Sequence, residues 1–168
     1  PMLFAGYWGR PAPVHDGWFE TGDAGLVNHD GSIRILGRTS DMIITGGEKV
    51  VPSEVESALV SHPDVAEAAV IGASDETTGQ GIVAFVILRE GIGDTADDFV
   101  EELRKHVAVE ISPIAKPREV NVVPELPKTR SGKIMRRLLK DVAEGRELGD
   151  TSTLVDPSVF EAIRSRRQ

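Results

Sequence analysis

The sequence predicts an α+β fold in which helices pack on a short sheet. From residue 42 onward, β-prone and helix-prone segments follow the order β-α-β-β-α-β-α, which is typical of a small mixed domain. Segment 82–88 is almost continuously apolar, as expected for a central strand. The chain has 168 residues, enough for one ordinary core or for one domain with part of another.

The beginning of the chain is expected to be β-rich. Residues 1–23 are rich in Gly, Pro and Trp and are typical of irregular connections. Two β-prone runs, 25–27 and 33–36, flank the turn-prone segment 28–32 and predict a hairpin. A short strand is expected at 42–45.

The centre of the chain predicts one helix and two strands. Pro52 begins the helix, and Glu54 lies in its first turn, where a carboxylate faces the positive end of the helix dipole. His62 and Pro63 end this helix. Strands are expected at 65–73 and 82–88, with a loop at 74–81 between them.

The remaining elements follow from capping and spacing. A second helix is expected from a cap at 94–98 to about residue 110. A strand is expected at 119–123, and the Ser131-Gly132-Lys133 segment leads into a basic helix from 134 to about 144. From Gly145 the chain is polar and mixed in charge, with a short helix expected at 158–164.

Composition excludes several classes of function. The net charge of −8 argues against a nucleic-acid-binding protein, and no apolar run approaches the roughly 20 residues of a membrane helix. The chain has no Cys, so disulfides and Cys-based zinc sites are excluded and a cytoplasmic location is expected. The four His residues show no metal-ligand spacing, so surface or turn roles and no metal site are expected.

Four short motifs carry the functional prediction. They are GWFETGD at 17–23, GRTSD at 37–41, GGEKVVPSEVE at 46–56 and PKTRSGK at 127–133. In this order and at these separations they resemble the closing motifs of the adenylate-forming superfamily, which includes acyl-CoA synthetases, luciferases and peptide-synthetase adenylation domains. The resemblance covers residues 1 to about 144.

The resemblance implies a domain organisation. Residues 1–38 correspond to the end of the large N-terminal adenylation domain, 39–144 to the small C-terminal lid domain and 145–168 to a C-terminal tail. The family's phosphate loop and substrate pocket precede Pro1, so the missing N-terminal domain is an implied partner. The chain alone is therefore expected to be inactive in acyl-CoA synthesis.

Two segments give different indications of the acid substrate. PKTRSGKIMRR at 127–137 and LGDTSTLVDP at 148–157 are most similar to acetyl-CoA synthetases, which favours a short-chain acid such as acetate. IITGGEKV at 43–50 looks more like fatty-acyl and aryl-acid ligases. A medium-chain, long-chain or aryl acid is therefore the alternative.

Asp23 and Arg38 are the predicted nucleotide-binding residues. A carboxylate such as Asp23 can accept two hydrogen bonds from a ribose diol, and the resemblance favours this role over a turn-capping one. Arg38 could bind a ribose or phosphate oxygen, or form a surface ion pair. Ser40 occupies the family's hinge position, where Asp or Lys is usual, and a small polar residue can still absorb a backbone rotation.

Gly46, Gly47 and Lys49 are the predicted CoA-binding residues. The resemblance implies that the glycine segment lines the tunnel for the pantetheine arm, because glycine lets another chain approach the backbone closely. A glycine pair is also typical of a simple turn. Lys49 either meets a CoA phosphate or is solvated, and solvation is favoured.

Lys133 is the predicted catalytic residue. In the family, this lysine contacts the α-phosphate and the substrate carboxylate while the acyl-adenylate forms. Its role would be electrostatic, because the two reacting groups are anions. The alternative is a solvated lysine in a basic loop.

The resemblance also implies ligands and partners. ATP with Mg²⁺, a carboxylic acid and CoA are the expected substrates, and AMP is released. A second hypothesis treats the chain as a regulatory module whose Lys133 is modified by a protein lysine acetyltransferase and restored by a deacetylase. A third, an adenylation domain that loads a carrier protein, is disfavoured by the acetyl-CoA-synthetase-like tail.

Overall fold

A computed structural model of the chain describes residues 8–9, 14–91, 97–156 and 158–165. The chain divides into two compact units, Pro1–Ser40 and Asp41–Gln168. The strands are β1 Val14–His15, β2 Trp18–Phe19, β3 Asp23–Val27, β4 Ile33–Arg38, β5 Ile43–Thr45, β6 Glu48–Val50, β7 Val65–Asp75, β8 Gly79–Leu88 and β9 Glu119–Val122. The α-helices are α1 Pro52–Ser61, α2 Asp97–Glu110, α3 Arg136–Ala143 and α4 Ser158–Ser165, and single 3-10 turns lie at Thr39–Asp41 and Pro113–Ala115.

The first unit consists of two antiparallel hairpins. The predicted hairpin is confirmed as β3 and β4, and its turn is fixed by the Asn28 N–H donating to the Ser32 carbonyl at 2.9 Å. The hairpin of β1 and β2 lies where irregular connections were expected. Asp16 and Gly17 form its two-residue turn with φ values of 51° and 81°. Asp-Gly is the dipeptide that this turn type prefers, so the sequence did carry the signal.

The second unit contains one five-stranded sheet with β8 at its centre. β7 pairs antiparallel with β8 along its whole length, from Val65 opposite Leu88 to Asp75 opposite Gly79. The other edge of β8 pairs with β9 in parallel and with β5 at Thr45, and β6 lies beyond β5. The expectation that segment 82–88 is a central strand is confirmed.

Helices cover both faces of this sheet. Alternate residues of a strand face opposite sides of the sheet. An apolar run such as that of β8 therefore contributes side chains to two apolar cores, one on each face. Val83 and Phe85 face α3 and α4, whereas Ile82, Ala84 and Val86 face α1 and α2. The predicted α+β fold, a short sheet flanked by helices, is therefore confirmed.

Several element bounds differ from the sequence-based expectations. β6 was not predicted, because Glu48 to Val50 is too short to show a periodic pattern. The expected loop at 74–81 is wrong, since β7 and β8 extend to leave only residues 76–78 as a turn. α3 begins at Arg136 rather than at 134. The predicted cap of α2 at 94–98 lies largely outside the described residues.

The segment after Gly145 packs against α3 and the face of the sheet that α3 covers. Leu154, Val159, Phe160 and Ile163 are buried against α3 and the sheet. The helix expected at 158–164 is confirmed as α4. The tail thus contributes part of the core that covers one face of the sheet.

The free edge of β7 is closed by carboxylates. The Val70 N–H donates to Glu56 Oε1 and the Ser74 N–H donates to Glu144 Oε1, each at 2.9 Å. Unpaired N–H groups on an edge strand can pair with another chain, and acceptors placed over them prevent this.

Among the described residues, no helix is long and apolar enough to cross a membrane.

Candidate functional site

Asp23 and Arg38 lie directly opposite each other at the open end of the β3–β4 hairpin. Arg38 Nη1 is 3.3 Å from Asp23 Oδ1 and donates to the Thr21 carbonyl at 2.6 Å. Both side chains are partly exposed, at 53% for Arg38 and 37% for Asp23. The structure therefore brings the two predicted nucleotide-binding residues together as a surface ion pair.

The chain beyond β4 is held to the turn before β3. Gly22 has a φ of 75°, and its carbonyl accepts hydrogen bonds from the Thr39 N–H at 2.9 Å and the Thr39 hydroxyl at 3.1 Å. Ser40 is the middle residue of the following 3-10 turn. The boundary between the two compact units falls directly after Ser40.

Gly46 and Gly47 form the turn between β5 and β6. Their φ values of 56° and 85° are both in the left-handed region, as a two-residue hairpin turn of this kind requires. The Gly46 N–H donates to the Thr78 carbonyl at 3.0 Å, which ties the turn to the one between β7 and β8. A Cβ on Gly47 would meet no heavy atom within 4 Å, so the backbone there is open to approach. Lys49 is exposed on β6.

The neighbouring β7–β8 turn is fixed by Asp75. The Thr78 N–H and hydroxyl donate to Asp75 Oδ1 at 2.8 and 2.9 Å, and Arg118 pairs with Asp75 Oδ2 at 2.8 Å. These bonds, first those from Thr78, hold the pKa of Asp75 well below its ordinary value. The turn that supports Gly46 is therefore constrained by a carboxylate that stays ionised.

Lys133 lies on a small hairpin, and the helix expected to begin directly after it begins at Arg136. Lys128 and Ile134 pair antiparallel, and the Thr129 N–H donates to the Lys133 carbonyl at 2.9 Å. The three-residue loop between them ends in Gly132 with a φ of 80°, the left-handed residue that such loops need. Within the described residues, no hydrogen bond or ion pair engages the exposed Lys133 ammonium.

The hairpin of residues 128–134, here called the lysine hairpin, and the Gly46–Gly47 turn lie at opposite ends of the sheet. Lys128 Nζ pairs with Glu67 Oε2 at 2.7 Å near the start of β7, whereas Gly46 bonds Thr78 just beyond the end of β7. Eight residues of strand separate Glu67 from Asp75, or about 25 Å at roughly 3.3 Å per residue. The predicted catalytic and CoA-binding segments therefore cannot face one point at the same time.

A bidentate ion pair anchors the chain directly after the lysine hairpin. Arg136 Nη2 donates to Glu56 Oε1 and Oε2, each at 2.8 Å, and both side chains are less than one-third exposed. This pair joins α1 to the start of α3 around the edge of β7. Sequence spacing indicates no role for Glu56 or Arg136, although Glu56 ends one motif and Arg136 follows another. Only their contact across 80 residues reveals it.

His62 has one of the expected roles, since it lies in the turn that ends α1, but it is buried. It is 7% exposed, and its ring lies 5.3 Å from that of His106. The Asp64 N–H donates to His62 Nδ1 at 3.3 Å. In the part of the chain that the structure describes, no three His, Asp or Glu side chains are grouped so that they could hold a metal ion.

Comparison with known proteins identifies the second unit. Residues 54–133 match the family described as the AMP-binding enzyme C-terminal domain. The matched segment, residues 54–133, belongs to this family. This C-terminal domain and its flanking residues are 58% identical to acetyl-coenzyme A synthetase from Mycolicibacterium smegmatis, in a match that covers 99% of this chain and 19% of that protein. The predicted resemblance to acetyl-CoA synthetases is confirmed.

Solved structures show the same C-terminal domain fold. ATP-bound MatB from Rhodopseudomonas palustris is similar with a TM-score of 0.70 and 32% identity, over 77% of this chain and 25% of that one. The acyl-CoA synthetase from Brucella canis is similar with a TM-score of 0.60 and 44% identity, over 82% of this chain and 26% of that one. The chain thus spans about a quarter or less of the length of these relatives.

Proposed function

We propose that the chain is the C-terminal part of an ATP-dependent, AMP-forming acyl-CoA synthetase. The observation that carries the proposal is the exposed ammonium of Lys133, held on a constrained hairpin at one end of a sheet whose other end carries the Gly46–Gly47 turn. In the first half-reaction a carboxylate oxygen attacks the α-phosphorus of ATP, and pyrophosphate leaves. In the second, the CoA thiol attacks the acyl carbonyl, the carbon–oxygen bond to AMP breaks, and the thiol proton is lost.

Lys133 acts in the first half-reaction. The attacking carboxylate and the α-phosphate are both anions, and a fixed cation between them lowers the energy of the transition state. The lysine ammonium supplies this positive charge at the end of a long side chain. No carboxylate among the described residues pairs with the Lys133 ammonium, which leaves it available for these anions.

Asp23 and Arg38 bind the nucleotide. Each oxygen of the Asp23 carboxylate can accept a hydrogen bond from one ribose hydroxyl. Arg38, 3.3 Å away, orients that carboxylate and keeps further N–H donors for the ligand. ATP would bring Mg²⁺ to the full-length enzyme.

Gly46 and Gly47 serve the second half-reaction. A turn with no Cβ atoms and an open approach at Gly47 suits the narrow pantetheine arm of CoA. Lys49, exposed on the adjacent strand, lies within reach of a solvent-facing CoA phosphate or remains solvated. A rotation about Ser40, at the boundary of the two units, would exchange one end of the sheet for the other.

We propose acetate or another short-chain acid as the substrate. The support is the 58% identity to an acetyl-coenzyme A synthetase together with the similarity of segments 127–137 and 148–157. A longer or aromatic acid is the alternative, supported by segment 43–50 and by structural similarity to an anthranilate CoA ligase at 38% identity. A location in the cytoplasm follows from the proposed use of ATP and CoA.

The deciding experiment uses the full-length enzyme and its Lys133→Ala variant. AMP release is measured across a panel of carboxylic acids, and conversion of supplied acyl-adenylate to thioester is measured separately. We expect acetate or propionate to be preferred. The variant should lose adenylation by about two orders of magnitude, the size of effect seen when one charge-stabilising donor is removed, and keep thioester formation. Normal adenylation by the variant would overturn the catalytic assignment.

The 168-residue chain alone is proposed to be inactive. It matches about a quarter or less of its relatives, and Asp23 and Arg38 are the only proposed nucleotide contacts in its first unit. Purified chain with ATP, acetate and CoA should release no AMP above background. Measurable release would contradict this proposal.

A second candidate function is regulation through acetylation of Lys133. The supporting observation is that this side chain is exposed on a hairpin and therefore accessible to a protein acetyltransferase. Acetylation would remove the charge that the first half-reaction uses, and a deacetylase would restore it. Mass spectrometry after incubation with the acetyltransferases of the source organism should find the modification at Lys133, and no modification with any of them would refute it.

A further inference from the structure

We infer that the segment from Gly149 to Val155, here called the positioning segment, fixes the place of Lys133. It pairs with the lysine hairpin on the side away from the lysine and fixes the hairpin through its backbone. The inference rests on the proposed catalytic function of Lys133. It assigns to the C-terminal tail a part in the adenylation step, beyond its packing on the core.

One antiparallel bridge ties the hairpin to a third segment of the chain. Leu154 pairs antiparallel with Thr129, and the Val155 N–H donates to the Lys128 carbonyl at 3.1 Å. Thr129 lies between Leu154 and Lys133, because it also pairs with Lys133 through its N–H. An isolated two-stranded hairpin is marginally stable in water, and a third strand is what normally makes it persist.

Thr129 transmits this constraint to Lys133. Its N–H donates to the Lys133 carbonyl at 2.9 Å, and its hydroxyl accepts from the Lys133 N–H at 3.2 Å. Its carbonyl accepts from the Gly132 N–H at 2.8 Å, and its hydroxyl also bonds Ser131 Oγ at 2.9 Å. The backbone of Lys133 is therefore fixed almost entirely by Thr129, which the tail holds in place.

The positioning segment is itself anchored at both ends. The Gly149 N–H donates to Asp141 Oδ2 at 3.2 Å, and Arg137 Nη2 donates to the Asp150 carbonyl at 2.7 Å. At the other end, the side chain of Leu154 is 8% exposed in the core beneath α3, and α4 follows. The positioning segment therefore couples the lysine hairpin to α3 and to the core beneath it.

Val155 allows the backbone bond to be removed with little change to the core. Its side chain is 62% exposed, so Val155→Ala removes only surface methyl groups and keeps the N–H donor. Val155→Pro removes the donor to the Lys128 carbonyl. In the full-length enzyme, we expect V155P to slow adenylation by roughly tenfold to a hundredfold, because misplacement of a reacting group by about 1 Å has effects of this size.

Three measurements are made on wild type, V155A, V155P and Lys133→Ala: the adenylation rate, the rate of thioester formation from supplied acyl-adenylate, and hydrogen exchange of the 128–134 amides. The inference expects V155P alone of the two Val155 variants to lose adenylation and to exchange faster at 128–134, with thioester formation unchanged. Adenylation by V155P equal to that of V155A would overturn it. Equal loss of both half-reactions in V155P would also overturn it, since that indicates general destabilisation.

The Lys133→Ala variant separates this inference from the proposed function. If that variant adenylates normally, the catalytic assignment of Lys133 fails, and the positioning inference falls with it. If Lys133→Ala loses adenylation while V155P retains it, the catalytic assignment stands and only the positioning role of the tail is rejected.

Discussion

At the scale of single residues, Gly132 determines the path of the hairpin that carries Lys133. Its φ of 80° lies in the left-handed region, and a Cβ at this position would meet no heavy atom within 4 Å. A substitution there would therefore encounter no steric clash with neighbours. Its cost would come from the backbone conformation alone, at about 1–2 kcal/mol for a residue with a Cβ.

Gly132→Ala should lower both stability and adenylation. The destabilisation is expected to be about 1 kcal/mol, and the hairpin is expected to shift toward an unstrained backbone that misplaces Lys133. Gly145→Ala is the matched control, because Gly145 has a φ of 65° and equally open surroundings but lies at the end of α3. Thermal unfolding should show similar losses for the two variants, whereas adenylation should fall only for G132A. A normal adenylation rate in G132A would contradict the expectation.

At the scale of secondary-structure elements, α1 and α3 are joined around the edge of β7 by Glu56 and Arg136. The guanidinium donates to both carboxylate oxygens, and Glu56 Oε1 also accepts from the Val70 N–H. Loss of either partner leaves a charged group in a site that is 29% exposed for Arg136 and 15% for Glu56. Removing one partner therefore lowers the free energy of unfolding by more than the net contribution of the intact pair.

Arg136→Lys should destabilise the domain although it preserves the charge. A lysine cannot make two parallel hydrogen bonds to one carboxylate, so we expect a loss of about 1–2 kcal/mol in the free energy of unfolding. Chemical denaturation of E56Q, R136K and the double variant forms a thermodynamic cycle. The double variant should lose less than the sum of the single losses, and strict additivity would show that the pair contributes no coupling.

Glu144 makes the edge of β7 sensitive to acid. Burial raises its pKa, but the hydrogen bonds from Ser74 and the neighbouring Arg146 outweigh this and leave the pKa below its ordinary value of 4.5. A carboxyl group whose pKa is lowered on folding stabilises the protein above its unfolded-state pKa. That contribution is lost as the pH falls through the folded-state pKa.

The stability difference between wild type and Glu144→Gln should therefore depend on pH. We expect wild type to be the more stable at pH 7 and the difference in melting temperature to shrink as the pH falls below about 4.5. Melting curves of both proteins from pH 7 to pH 3 measure it. A difference that widens in acid would have the wrong sign for a lowered pKa.

The sequence predicted the elements of this fold better than the contacts between them. The apolar run 82–88 indicated a central strand, because burial on both faces leaves no polar positions. The bounds of α3 depended on contacts with distant segments, which local propensity does not contain, whereas β6 is a three-residue strand that pairs with β5 across the Gly46–Gly47 turn. The proximity of Asp23 and Arg38 follows from hairpin register, whereas the Glu56–Arg136 pair and the Thr129–Leu154 pairing could not be predicted by spacing alone.

At the scale of the whole molecule, the two units differ in how they are stabilised. None of the described residues up to Ser40 is buried, and several large apolar side chains there are more than half exposed. They are Trp8, Trp18, Val27, Ile33 and Ile35. All the buried core residues among those described belong to the second unit. Two hairpins without a buried core are not expected to be stable alone.

Removal of residues 1–40 should leave the stability of the second unit unchanged. Thermal unfolding followed by circular dichroism should give the same midpoint for the 168-residue chain and for residues 41–168. Binding of a hydrophobic dye should fall in the shorter chain, because the exposed apolar side chains of the first unit are gone. A large drop in the midpoint would show that the hairpins contribute to the stability of the second unit.

The length of β7 has a mechanical consequence for the proposed rotation. In that rotation the sheet acts as an arm, and about 25 Å along β7 separates the lysine hairpin from the Gly46–Gly47 turn. On such an arm an angular error of about 1° moves the tip by about 0.4 Å, close to the tolerance of about 0.5 Å for a catalytic group. If Lys133 acts as proposed, adenylation therefore requires control of the angle of this domain to about 1°. Stiffness of the sheet and of its edge becomes a kinetic property of the enzyme.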